Sequence, residues 1–280
     1  MNIKILSDST CDLSAAQLAE HNIDLARLTV IKGGEAFTDG TTITPADIFA
    51  HVAAGGDLCS TTAINIQEYE ELFSKYSSEY DAVIHINIGS GFSSCYQNAR
   101  LAAEDFPNVY VVDSQNLSTG QGHVVLEACR LAKTCDNAEQ IVEKLNDFAS
   151  RVEASFVLDQ LAYMAKGGRC SAVAALGANL LGLKPCIEVK GGKMGVVKKY
   201  RGSFSKCLAS YVKDRLAGRD DIVRDELFLT YTTVSDEALS AVKASIEEHG
   251  HFNTVYETTA GCTVSCHCGP STLGVLFVRK

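Results

Sequence analysis

Four clusters of hydroxyl side chains stand out among the residues able to do chemistry. They are Ser7, Ser9 and Thr10; Ser60, Thr61 and Thr62; Ser90, Ser93 and Ser94; and Ser114, Ser118 and Thr119. Each sits beside an apolar run or ahead of a helical pattern, so most read as caps and turn residues. Together they also suit a site that reads an oxygen-rich head group with neutral donors. A hydroxyl at a helix N-terminus can hydrogen-bond a carboxylate while the helix dipole stabilises its charge. Such a site needs no buried lysine.

Other signatures are missing from the sequence. It contains no GxxxxGK[ST] and no HExxH, and neither Gly89-Ser90-Gly91 nor Gly120-Gln121-Gly122 continues to the third glycine of a dinucleotide loop. Ser93, in Gly91-Phe92-Ser93-Ser94, does not stand in a G-x-S-x-G elbow. A serine-dependent acyl hydrolase using Ser93, with His85, His123 or His267 as base, is the alternative function. Cys262, Cys266, His267 and Cys268 form a CxxxC followed by His-Cys, without the paired spacing of a zinc site. A thiol sensor built on Cys266 and Cys268 is a third reading.

Composition narrows the classes. The 280 residues are 46% hydrophobic and 21% charged, which is the profile of a globular chain with a substantial core. A formal charge of −9 leaves no footprint for nucleic acid or an anionic membrane, and Lys198, Lys199 and Arg201 read as solvated surface. The apolar start Ile3 to Leu6 is too short for a signal peptide, and no run reaches the roughly 18 apolar residues of a membrane span. A cytoplasmic protein with at most transient membrane contact is expected. Eleven cysteines, an odd number, then read as reduced thiols, most of them small buried hydrophobes.

The elements that must position these residues alternate strand and helix. Strands are expected at Ile3–Leu6, Leu25–Ile31, Ala82–Ile88 and Val109–Asp113, with helices from Ser14, Thr44, Asn65 and Ser93 between them. Gly120 and Gly122 are expected to precede the helix of Leu126 and Cys129. This repetition predicts a parallel sheet covered by helices, with the loops starting at Ser7, Gly89 and Asp113 on one rim. After a helix from Asn137 to about Arg151 the character changes. A glycine turn at Lys166–Arg169, a hairpin at Lys190-Gly191-Gly192-Lys193 and strands near 226–231, 253–257 and 273–278 follow. The expected domains are 1–154, a parallel α/β/α unit carrying the head-group loops, and 155–280, a smaller two-layer α/β unit with a mixed sheet. The segment from Ala172 to Ala178, with Leu180 and Leu181, suits either a tunnel wall or a closely packed helix.

Seven motifs stand in order along the chain: Ser7-Asp8-Ser9-Thr10; Thr61-Thr62; Ser90 to Ala99; Val112-Asp113-Ser114 with Gly120-Gln121-Gly122; Tyr163 to Arg169; Leu183-Lys184-Pro185; and His267-Cys268-Gly269-Pro270. Together they resemble the DegV family of fatty-acid-binding proteins (FakB-like). The resemblance implies a lipid-binding protein, not an enzyme, that holds a long-chain fatty acid and presents it to a separate ATP-dependent fatty acid kinase. It implies that Thr61 and Ser93 hold the carboxyl, that His267 joins them, and that Arg169 steadies the phosphoryl group during the kinase's transfer. No cofactor or metal is implied. The chain departs from the family pattern at Ala63-Ile64, where Gln-Pro is usual, and at Ser94 and Cys95.

Overall fold

The structure is a computed structural model and describes residues 1–174 and 182–280. The residues from 175 on in the small-residue segment, with Leu180 and Leu181, fall outside the described residues, so their reading as a tunnel wall does too.

The first half runs β1 (Ile3–Asp8), a 3-10 turn at Ser9–Cys11, α1 (Ala15–Glu20), β2 (Asp24–Ala26), β3 (Thr29–Lys32), β4 (Glu35–Thr38) and α2 (Pro45–Ala53). It continues through β5 (Ser60–Thr62), α3 (Ile66–Ser77), β6 (Ala82–Asn87), α4 (Cys95–Ala103), β7 (Val109–Asp113), α5 (Thr119–Ala132) and α6 (Ala138–Arg151). The second half holds β8 (Val152–Leu158), α7 (Leu161–Gly167), α8 (Ser171–Ala174), β9 (Leu183–Lys190), β10 (Lys193–Arg201) and α9 (Phe204–Leu216). After these come β11 (Glu226–Tyr231), α10 (Asp236–His249), β12 (Thr254–Thr259), α11 (Cys262–Cys268) and β13 (Thr272–Val278).

The fold is α/β. A parallel sheet has the order β2-β1-β6-β7. Every residue of β6 is buried, as expected of a strand covered on both faces. The paired helices α3 and α4, and the pair α5 and α6, supply that cover. Local chemistry sets the helix starts: Ser14, Thr44 and Asn65 each close a capping box, and Pro45 opens α2.

A second, mixed sheet has the order β10-β9-β8-β13-β11-β12, in which only β11 and β12 run parallel. One face packs on α9 and α10 through Tyr211, Leu227, Leu229 and Phe277. The other face, with Phe156, Phe228 and Leu276, joins the core of the parallel sheet through α5. Gly191 and Gly192 both have positive φ, as the two-residue turn between β9 and β10 requires.

Two expectations need correction. The strand foreseen at Leu25–Ile31 is two strands in two sheets: β2 edges the parallel sheet, while β3 pairs antiparallel with β4 and β5. Leu28 breaks the run because its N–H donates to Ser9 Oγ and its carbonyl accepts from Asp39 N. Gly120 and Gly122 lie inside the first turns of α5, not ahead of it. A Cβ on Gly120 would come 2.5 Å from Asn116 Oδ1, and one on Gly122 would come 2.9 Å from the Cys11 carbonyl. These glycines let the start of α5 pack closely on its own leading loop and on the turn after β1.

Candidate functional site

The carboxyl ends of β1, β6 and β7 converge on one rim. Buried Asp8, at the end of β1, accepts from Tyr69 Oη at 2.7 Å, from Asn87 Nδ2 at 3.1 Å and from Ile88 N at 2.9 Å. Its Oδ1 also lies 3.0 Å from His85 Nε2. These contacts fix the loop that leaves β6. Ser90, in that loop, donates from both N and Oγ to Asp113 at the end of β7.

Beyond this rim lies a pocket that encloses about 740 Å³ of space, a figure that includes open solvent. Its wall is mostly apolar, with Leu28, Ile88, Phe92, Leu117, Met164 and Val264. Thr61, Ser93, Arg169 and His267 all line it, so the structure brings together every site residue foreseen from the sequence. A second cavity of about 410 Å³ shares Leu117, Val264 and Cys268 with the first and continues against Phe156, Val189 and Leu276.

Thr61 is held on β5 opposite Val30, and α11 packs against β3 and β5. That contact brings His267 Nε2 to 2.8 Å from Thr61 Oγ1. Burial, and then the charge of Arg169, push the His267 pKa down to about 4, so the ring is neutral at pH 7. With the proton on Nε2, the ring donates to Thr61 and leaves the threonine proton free for a ligand oxygen. His267 Nδ1 is buried without a partner among the described residues and faces Gly167. A Cβ at position 167 would lie 2.5 Å from it, so the glycine makes room for the ring.

Ser93 precedes α4. Its Oγ accepts from Cys95 N at 3.3 Å and donates to Cys95 Sγ at 3.1 Å. Burial pushes the Cys95 thiol up to about 11, so the sulfur is neutral and a weak acceptor. The Ser93 proton is therefore easily given up to a stronger acceptor such as a carboxylate. Arg169 is exposed and lines the cavity. Its Nη1 donates to the Gly167 carbonyl at 2.7 Å, just past Gly168, whose φ of 67° ends α7.

The three histidines considered as bases for Ser93 have other partners. His85 is bound to Asp8, His123 to Glu226 and the Leu276 carbonyl, and His267 to Thr61. Cys262 and Cys266 turn into a small core with Cys59, Ile43 and Ile48, whereas Cys268 joins the main core. All the cysteines are free, and each except Cys135 is buried.

Most of the other hydroxyls are committed to structure. Ser9 donates to Asp39, Thr10 to Gln121 and Ser118 to Asp12, while Thr119 pairs with Thr230. Sequence reasoning missed Val264, Met164 and Met194 as wall residues, because an apolar residue in a helix or strand pattern reads as core. Ala63 lines the cavity, and Ile64 is buried in the core.

The model of the DegV family, described as an uncharacterised protein, matches residues 2–280. The chain belongs to the DegV family. A DegV domain-containing protein of Clostridium acetobutylicum is 30% identical over 282 residues, with 99% of each chain covered. A DegV family protein from Thermus thermophilus, whose structure is described by its fatty acid binding, is 26% identical with a TM-score of 0.90 over the whole of both chains. DegV of Bacillus subtilis, described as a fatty acid binding protein, is 25% identical with a TM-score of 0.82, again over the whole of both chains. Both of these solved relatives are described by the fatty acid they bind.

Proposed function

We propose that this chain binds a long-chain fatty acid and presents it to a separate ATP-dependent fatty acid kinase that forms the acyl phosphate. Thr61 and Ser93 hold the carboxyl, His267 orients Thr61, and the tail lies in the apolar cavity and continues past Leu117 and Val264 into the second. The observation that carries this reading is the Thr61–His267 pair at one end of a cavity whose remaining wall is largely apolar. The relatives described as fatty-acid-binding support it.

Each methylene withdrawn from water contributes about 0.8 kcal/mol, so a chain of about 14–18 carbons supplies near 10 kcal/mol before ordering costs. The tail then gives the affinity and the hydroxyls the polarity of entry. Arg169, exposed and forked, steadies the phosphoryl group that the kinase transfers. Residues 1–154 supply the head-group loops, and residues 155–280 close the lipid site. The protein works in the cytoplasm; no described helix is long and apolar enough to cross a membrane. The hydrolase alternative lacks support, because Ser93 bonds to Cys95 and to none of the three histidines.

Calorimetric titration of delipidated protein with palmitate tests the binding. Saturable one-to-one binding is expected, and the absence of binding to any fatty acid of about 14–18 carbons overturns the reading.

A further inference from the structure

Helix α11 has seven residues and carries four that line the main cavity: Thr263, Val264, His267 and Cys268. It has no side-chain cap of its own, since its N-cap residue is Gly261. Two carboxylates from the far end of the chain take that place. Asp12 Oδ1 accepts from Gly261 N at 2.9 Å, and Asp39 Oδ1 accepts from Cys262 N at 3.0 Å. Asp39 Oδ2 accepts from Thr263 N at 3.3 Å and from Thr263 Oγ1 at 2.7 Å.

Both carboxylates are themselves fixed. Asp39, 2% exposed, also accepts from Ser9 Oγ at 2.9 Å, and its backbone carbonyl accepts from Arg27 Nη1. Asp12 accepts from Ser118 Oγ at 2.6 Å. Ser118 has φ 52° and ψ −145°, a backbone conformation costly for a non-glycine residue, and it leads into α5. A Cβ on Gly261 would lie 2.8 Å from Asp12 Oδ1, so the approach of α11 to this carboxylate requires glycine.

We infer that Asp39 and Asp12 are positioning residues for the head-group site: they grip the start of α11 and so set where His267 stands opposite Thr61. The bonds span 223 residues for Asp39–Cys262 and 249 for Asp12–Gly261, so they tie the last helix to the turn and loop beside β1 and β3. Bonds from backbone N–H to an ionised carboxylate are roughly twice as strong as those between neutral groups, so Asp12 gains less from them, its carboxyl being pushed up to about 7 by burial. A helix of about two turns moves as one body, so a shift at Gly261–Thr263 reaches His267. Asp39 makes the larger share of the contacts and is the primary anchor.

The test follows the His267 ring by NMR in the ligand-free, full-length protein, with its Cε1–H signal assigned by loss in His267→Gln. Arg169 is the charged group facing this ring and is kept in every variant. Loss of the Asp39 grip lets water reach the ring, so Asp39→Asn raises its titration midpoint by at least one pH unit, and Asp39→Glu restores part of the difference. Palmitate binding by Asp39→Asn weakens at least tenfold, an arm that rests on the function proposed above. An unchanged His267 midpoint in folded Asp39→Asn overturns the inference. A shifted midpoint in a protein whose wild type ignores palmitate supports the inference and removes the fatty-acid reading instead. Where Asp39→Asn fails to fold, Ser9→Ala removes one donor to Asp39 and shifts the midpoint in the same direction by a few tenths of a unit; no shift overturns the inference.

Discussion

Thr61 Oγ1 and His267 Nε2 lie 2.8 Å apart although 206 positions separate them in the chain. Thr61 comes from a three-residue edge strand and His267 from the last turn of a seven-residue helix. The pair is polar, partly buried and next to a largely apolar cavity, which suits the proposed ligand with one polar end and one long apolar one.

The head group gives the first prediction. Hydrogen bonds to a charged group are worth about 1.5–3 kcal/mol, so Thr61→Val and Ser93→Ala each weaken palmitate binding by roughly 10- to 150-fold. Thr61→Val has the larger effect, since it also strips His267 of its partner. Binding of methyl palmitate, which has no carboxylate, changes much less. Titration calorimetry of the three proteins with both ligands measures this, and equal palmitate affinity in all of them contradicts the assignment.

The tail gives the second. Leu117, Val264 and Cys268 line both cavities, and in the proposed reading the tail runs past them from the first into the second. Val264→Phe narrows that route and shortens the chain that fits. Each excluded methylene costs about 0.8 kcal/mol, so affinity for stearate falls about fourfold per displaced carbon while laurate binds nearly as before. A chain-length series by competition reads the change. A uniform loss across all lengths contradicts that route.

Much of the scaffold was legible beforehand, because its signals are local. Ser14, Thr44, Asn65 and Asn137 cap as their types suggest, and Gly191-Gly192 turns the hairpin. The rim formed by β1, β6 and β7 follows from the parallel alternation alone. What stayed hidden depends on distant partners. The split of Leu25–Ile31 comes from Ser9 and Asp39, and the grip of Asp12 and Asp39 on α11 joins segments more than 200 residues apart. Residue type also failed to separate working hydroxyls from structural ones. Ser90 and Ser118 have the same chemistry as Ser93, yet they are spent on Asp113 and Asp12. Helix α9 went unread although Ser203 stands at its start and Gly218, with φ 70°, just past its end; its apolar Cys207, Leu208, Tyr211, Val212 and Leu216 are buried.

Two buried groups oppose each other in the pH dependence of stability. His267 is pushed down to about 4 by burial and by Arg169, so the unfolded chain binds its proton first and stability falls as pH drops from 6.5 toward 4. Asp12 is pushed up to about 7, by burial first and also by the charge of Asp39, so the folded chain holds its proton and stability falls as pH rises from about 4 through 7. The two slopes partly cancel in the wild type, each amounting at its limit to roughly 3–4 kcal/mol. Asp12→Asn exposes the first slope and gains stability with pH between 4 and 6.5. His267→Gln exposes the second and loses stability over the same range. Urea unfolding at several pH values measures both, and parallel curves for the two variants contradict the assignment.

In the proposed function, Arg169 is the residue that separates binding from presentation. Its Nη1 donates to the Gly167 carbonyl and its Nε to the Phe92 carbonyl at 3.4 Å, and the side chain is exposed. Arg169→Ala keeps palmitate affinity within about threefold, because the residue makes at most an exposed charge contact with the ligand. It lowers kinase-dependent acyl phosphate formation at least tenfold, and Arg169→Lys restores little, since an ammonium lacks the planar fork. A reconstituted assay with an ATP-dependent fatty acid kinase measures this. Normal acyl phosphate formation by Arg169→Ala contradicts the role.

The central claim is that the cavity holds a fatty acid, and the most direct measurement is mass spectrometry of an organic extract from the purified protein. The account predicts fatty acid of about 14–18 carbons at close to one molecule per chain, and its loss when Thr61 and Ser93 are replaced together by Val and Ala. An extract free of fatty acid, from protein that also refuses added palmitate and oleate, contradicts it.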